Sequence, residues 1–150
     1  MRYRCLLVAT LVLVALAATR PANAVPLFAK VFKQDYLDNN AHKEFAEEGG
    51  KAPNSCLMCH QGLKNRKNRN AFGQEVAKLL NKKDNSKPTP ENMTKISEAL
   101  KKTMAMHVDP KDDKSETYLD RVKAGKYPVG TLEELKKEGP AADKDAKEEK

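Results

Sequence analysis

Between residues 27 and 38 the apolar side chains recur at helical spacing. They include Phe28, Val31, Phe32, Tyr36 and Leu37. The three aromatic residues among them are four positions apart, and side chains at that spacing lie on one face of an α-helix. The pattern predicts a helix over about residues 27–38 whose aromatic face packs against the rest of the fold.

Three further segments combine a helical pattern with signals for a helix end. Asn70 is suited to cap a helix over about residues 71–81, and Thr89 is suited to cap a second. A third helix, over about residues 116–124, ends at Gly125. Their inward positions are Phe72, Val76, Leu79 and Leu80 in the first, Met93, Ile96, Leu100, Met104 and His107 in the second, and Tyr118, Leu119 and Val122 in the third. No segment shows a convincing strand pattern, so the predicted fold class is mostly α.

The first 24 residues form a separate apolar unit. Arg2 and Arg4 precede an apolar stretch from Leu6 to Ala18, and the small residues of Ala22-Asn23-Ala24 suit a cleavage site. This order of regions is typical of an export signal. The stretch is shorter than the roughly 18 residues that a membrane span needs. We therefore expect residues 1–24 to be removed, leaving an exported, periplasmic or otherwise extracytoplasmic chain without a membrane span.

Charge and composition set the limits of the mature domain. The full chain has 28 basic and 21 acidic residues, and three of the basic residues lie in the first 24, so its net charge falls from +7 to +4. Without a nucleic-acid-binding module, this modest charge predicts no nucleic-acid partner. Residues 131–150 are nearly all Lys, Glu, Asp and Ala, which predicts a charged, disordered tail. Residues 25–130 remain as one domain.

The aromatic content of this domain is low. The sequence has no Trp and only four Phe and four Tyr. A chain of this kind has little large apolar surface to bury. A buried cofactor would supply what is missing.

The candidate chemistry is concentrated in Cys56-Leu57-Met58-Cys59-His60. Two cysteines separated by two residues can bond to the two vinyl groups of one haem, and the adjacent histidine can bind its iron. Because Cys5 lies in the export signal, these two are the only cysteines of the mature chain. Export and haem attachment support each other, since c-type haem is joined outside the cytoplasm.

Other uses of the two cysteines fit the sequence less well. A zinc site would need a second ligand pair, and the remaining histidines, His42 and His107, do not have a paired spacing. A thioredoxin-type dithiol would be expected among alternating strands and helices. A disulfide across two residues closes too short a loop to stabilise much. Covalent haem is the favoured interpretation, with a dithiol or disulfide as the alternative.

With this motif the chain resembles a small, class I-like monohaem c-type cytochrome. Two further stretches resemble the short secreted cytochrome c-like proteins of planctomycete-type bacteria: Lys67-Asn68-Arg69-Asn70-Ala71-Phe72-Gly73 and Tyr118-Leu119-Asp120-Arg121-Val122-Lys123-Ala124-Gly125-Lys126-Tyr127-Pro128. The resemblance covers roughly residues 28–130. It implies a cytochrome c-like bundle of short helices wrapped around one covalent haem, and one-electron transfer. By the same resemblance, Cys56 and Cys59 are the thioether anchors and His60 is the proximal iron ligand.

The sixth iron ligand decides between an electron carrier and a catalyst. Met104 shares a predicted helical face with Leu100 and lies 44 residues after His60, a separation compatible with class I cytochromes. His107 returns to that face one turn later and is the alternative. The remaining candidates are Met106, Met93, His42, or no protein ligand.

The function expected from a filled sixth position is electron transfer between redox partners, without enzymatic activity. An open position would instead predict a haem peroxidase or a haem-based ligand sensor. Four positive charges follow the proximal histidine within six residues: Lys64, Arg66, Lys67 and Arg69. They could steer an acidic redox partner, or they could form a solvated surface loop.

Overall fold

The computed structural model describes residues 27–64, 68–80 and 87–139. Its helices are α1 (Leu27–Phe32), α2 (Lys43–Gly50), α3 (Asn54–Leu57), α4 (Ala71–Leu79), α5 (Pro90–Met104), α6 (Tyr118–Lys123) and α7 (Leu132–Lys136). In these ranges the β structure is limited to two isolated antiparallel bridges, His60 with Arg69 and His107 with Thr117. The prediction of a mostly α protein is confirmed. The expected export signal, residues 1–24, lies outside the described residues.

Nothing in the described part of the chain is a helix long and apolar enough to cross a membrane.

The first helix ends in a π-helical turn, Lys33–Leu37, that the sequence did not predict. A π-helical turn pairs residues five apart, so Leu37, and not Tyr36, follows Phe32 into the core. Phe32 and Leu37 are each 2% exposed. Tyr36 is only half-buried. The expected aromatic face is therefore present, but its last inward position belongs to Leu37.

The capped helix starts lie where the sequence predicts them. The side chain of Asn70 accepts a hydrogen bond from the Gly73 amide at 2.9 Å, and that of Thr89 accepts one from the Asn92 amide at 3.2 Å. These bonds satisfy amides that a helix start otherwise leaves without partners. The helix starting at Ala71 ends at Leu79, which is 42% exposed although the sequence placed it inward. Leu80, just beyond the helix, packs against the core in its place.

An aromatic series joins three helices in the core. The ring of Phe32 on α1 meets that of Phe72 on α4 edge-on, with centroids 6.2 Å apart. Phe72 in turn meets Tyr118 on α6 edge-on at 5.2 Å. Such pairs add to the stability gained from burial. The longest helix, α5, packs against α1 and α4 and buries Ile96 and Leu100 among the same side chains.

The C-terminal segment corrects a sequence prediction. Residues 131–139 were expected to begin a disordered tail, yet they contain α7 and a side chain, Leu135, that is only 3% exposed. A capping box starts the helix: the Thr131 hydroxyl accepts from the Glu134 amide, and the Glu134 carboxylate accepts from the Thr131 amide. This pairing, together with one buried leucine, is enough to order a segment rich in charge. Residues 140–150 lie outside the described residues.

Candidate functional site

The two cysteines and the histidine of the motif lie on one side of a single helical turn. Helix α3 continues as a turn through His60, whose amide donates to the Cys56 carbonyl at 3.0 Å. Leu57 and Met58, between the cysteines, are each 1% exposed. Cys56, Cys59 and His60 are partly exposed. The turn therefore has a buried pair in the core, with Cys56, Cys59 and His60 beside it, and of these three Cys59 also packs against the core.

The buried pair is held by a close approach to α2. A β-carbon added at Gly49 would lie 2.5 Å from the terminal methyl group of Met58. Glycine at this position lets Met58 lie directly against α2, and a larger side chain would make the methionine shift. The sequence did not predict α2, Lys43–Gly50, in which Gly49 lies.

The His60 ring is oriented by a backbone carbonyl. Its Nδ1 atom lies 3.2 Å from the carbonyl oxygen of Asn68. A carbonyl can only accept, so Nδ1 carries the proton and the lone pair of the neutral ring is on Nε2. Metal-binding histidines commonly donate their second nitrogen to a carbonyl in this way, which fixes the tautomer. In its neutral form the ring therefore presents the Nε2 lone pair that an iron ligand requires.

The Cys59 thiol is held in its neutral form. Cys56 and Cys59 are free of any disulfide. Burial raises the pKa of the Cys59 thiol, Cys56 raises it further, and the charge of Arg69 opposes the rise.

The backbone of the motif is braced by the start of α4, a feature that the sequence analysis missed. The Asn70 side-chain amide donates to the carbonyls of Leu57 and Met58 at 3.1 and 3.2 Å. A β-carbon at Gly73 would lie only 2.0 Å from the Cys59 carbonyl oxygen. Sequence analysis identified Asn70 only as a helix cap. Its second role depends on contacts 12 and 13 residues away, which no local pattern reveals.

The candidates for a sixth ligand occupy different environments. Met104 is 1% exposed and belongs to the hydrophobic core at the end of α5. His107 is half-buried, and its Nδ1 lies 2.5 Å from the Ser115 carbonyl oxygen, so it too has its lone pair on Nε2. Met106 is 37% exposed. Met93 is partly buried and His42 is exposed.

His107 is connected to the motif through the aromatic series of the core. Its neighbour Met106 accepts a hydrogen bond from the Tyr118 amide at 3.1 Å. Tyr118 packs on Phe72, and the next residue, Gly73, approaches the Cys59 carbonyl. The segment after α5 is therefore linked to the motif through Tyr118 on α6 and the Phe72–Gly73 part of α4.

Two of the four basic residues after the motif lie in the described part of the chain. Lys64 and Arg69 are exposed. Arg69 forms the bridge to His60, and its charge acts on Cys59. Arg66 and Lys67 lie outside the described residues. Positive charge therefore stands directly beside the motif.

The donor set fits a haem better than an isolated metal ion. Within residues 27–64, 68–80 and 87–139, no cluster of three or more His, Cys, Asp or Glu residues could hold a metal ion. Two thiols and one neutral imidazole on a single turn match a porphyrin with two vinyl groups and an iron. The geometry of the motif is therefore compatible with a covalently bound haem.

No protein-family model, curated protein or solved structure matches this chain. The resemblance to c-type cytochromes stays a prediction, supported by the residues around Cys56 and His60.

Proposed function

We propose that this protein binds one haem covalently through Cys56 and Cys59, with His60 as the proximal iron ligand, and that it transfers single electrons. Each cysteine sulfur would form a thioether with one vinyl group. The iron supplies the one-electron chemistry when the haem is bound. The chain's own residues would anchor the porphyrin and orient the imidazole, and Leu57 and Met58 keep the turn fixed against the core.

The hydrogen bond from His60 to the Asn68 carbonyl carries this proposal. It fixes the neutral tautomer and increases the electron donation of the ring to a bound metal. A surface histidine of no functional importance has no need of such an orienting partner. The same turn also places Cys56 and Cys59 on the side of His60. This grouping gives the arrangement its specificity for haem.

Electron transfer is the function that a protein ligand in the sixth position would support. Met104 and His107 are the two main candidates. Moving Met104 out of the core would leave a cavity, and losses of that size cost about 2–5 kcal/mol. His107 is half-buried, and its Nδ1 lies 2.5 Å from the Ser115 carbonyl oxygen. We therefore favour His107 as the sixth ligand, with Met104 as the alternative.

The proposed setting is outside the cytoplasmic membrane, as the export signal in residues 1–24 predicts. The partner would be another redox protein. Lys64 and Arg69 beside the motif favour an acidic surface on that partner, and their attraction would weaken as the salt concentration rises.

Production of the full chain in bacterial cells with a c-type haem attachment system tests the proposal. The processed protein should be red, carry the mass of one haem after denaturation, and be reduced reversibly. Cys56→Ala and Cys59→Ala should each lose one thioether, and the double variant should lose covalent haem. Cys5→Ser is the matched cysteine control and should keep it. A colourless product with the mass of the bare polypeptide would refute the proposal.

A further inference from the structure

We infer that residues 131–139, here called the C-terminal clamp, position the His60 imidazole by holding residues 61–64, the first half of the loop after His60, beside the Asn68 carbonyl that accepts from the ring. The inference rests on the proposed function, because it concerns the ligand strength of His60. It assigns a role to a segment whose composition predicts only a disordered tail.

One carbonyl oxygen, that of Asn68, joins residues 60 and 61 to the far side of this loop. The Asn68 carbonyl accepts from the Gln61 amide at 3.0 Å and from the His60 ring at 3.2 Å. Any shift of this oxygen changes both bonds. The position of the imidazole therefore depends on how firmly the loop is held.

The C-terminal clamp holds the first half of the loop through two backbone amides. The Gly62 amide donates to the Leu135 carbonyl at 2.8 Å. The Lys64 amide donates to the Glu138 carboxylate at 3.0 Å. Gly62 has a φ of +86°, and a β-carbon there would lie 2.5 Å from Glu138. Only glycine lets the carboxylate lie this close to the loop.

The clamp is itself fixed to the element that carries the cysteines. Leu135 is 3% exposed, and α7 packs against α3. The capping box of Thr131 and Glu134 keeps the helix formed. The clamp thus fixes the positions of Cys56 and of the loop around His60 relative to each other.

This support has a chemical consequence for a bound iron. A well-aligned Nδ1 hydrogen bond makes the imidazole a stronger donor, which favours the oxidised iron. Loosening the loop weakens that bond. Loss of the Glu138 contact should therefore raise the reduction potential without removing the haem.

Two variants of Glu138 separate the hydrogen bond from the charge. Glu138→Gln and Glu138→Ala both remove the negative charge, but only glutamine keeps an oxygen that can accept from the Lys64 amide. Glu133→Ala is the matched control, because the Glu133 carboxylate pairs with Lys136 on the same helix and does not touch the loop. Spectroelectrochemistry of the haem-loaded proteins measures each potential, and mass spectrometry of the same samples measures haem content.

We expect full haem content in all three variants, a higher potential in Glu138→Ala than in Glu138→Gln, and no change in Glu133→Ala. Equal potentials for the two Glu138 variants would overturn the inference, as would an equal shift in the control. Absence of haem from the unmodified protein would instead refute the proposed function. Should Glu138→Ala fail to fold, the comparison moves to Gly62→Ala, which displaces the same carboxylate and should raise the potential in the same way.

Discussion

Replacing Leu135 by alanine should destabilise the protein by about 2–3 kcal/mol. The side chain is 3% exposed and is the buried residue of α7. Leucine-to-alanine changes in cores cost about 2–5 kcal/mol, depending on how far the surroundings close the gap. Helix α7 has five residues and lies at the end of the described chain, so it can shift to fill part of the space, which favours the lower end of that range.

The matched control is Leu79→Ala. Leu79 is also a helical leucine, but it is 42% exposed. Its loss should cost less than about 0.5 kcal/mol, as surface substitutions usually do. The sequence has no Trp, so urea unfolding is best followed by far-ultraviolet circular dichroism. The urea concentration at each midpoint converts to a free energy of unfolding through the slope of that free energy against urea concentration.

Equal losses of unfolding free energy in Leu135→Ala and Leu79→Ala would disprove the packing of α7. The same conclusion would follow if Leu135→Ala unfolded at the midpoint of the unmodified protein, because an unpacked leucine contributes nothing when truncated. A second comparison is independent of side-chain volume: a chain ending at Gly130 should be less stable than a chain ending at Gly139.

Three further predictions concern the site and its supports. In the haem-loaded protein, His107→Ala should become high-spin and bind carbon monoxide, whereas Met104→Leu should stay low-spin; the opposite result in optical and magnetic spectra would assign the ligand to Met104. Gly73→Ala should lower the yield of folded protein sharply, because its β-carbon would lie 2.0 Å from a motif carbonyl, while Gly50→Ala, which faces only a flexible lysine, should be tolerated. Hydrogen bonds from the Thr131 amide and hydroxyl hold the pKa of Glu134 below its usual range. The stability that Glu134 contributes is therefore present above the usual glutamate pKa and is lost as the pH falls through the lowered value. The free energy of unfolding measured against pH should show this loss. Glu134→Gln should make that pH dependence weaker.

Features set by neighbouring residues could be predicted from the sequence. The caps at Asn70 and Thr89 were identified correctly, because a cap depends on residues within one turn. The arrangement of Cys56, Cys59 and His60 on one side follows from helical spacing in the same way. The capping box at Thr131 is an equally local signal, but the many charged residues around it led to the prediction of a disordered tail.

Features set by distant contacts could not be predicted. The Asn68 carbonyl that orients His60 is a backbone atom and leaves no mark on the sequence. The π-helical turn after Phe32 depends on which side chain enters the core. Leu37 occupies the core position that helical periodicity assigned to Tyr36. Periodicity places Met104 and His107 on one face without giving their depth, and the structure buries Met104 while His107 is half-buried.

The two-sided character of the motif bears on the order of biogenesis. Leu57 and Met58 are buried, Cys59 packs against the core beside them, and Cys56 is only partly buried. In the proposed holoprotein the two sulfur atoms would therefore differ in their access to an attachment enzyme. Cys56 would be open to it in the folded chain, whereas Cys59 would have to join the porphyrin before the core closes around it.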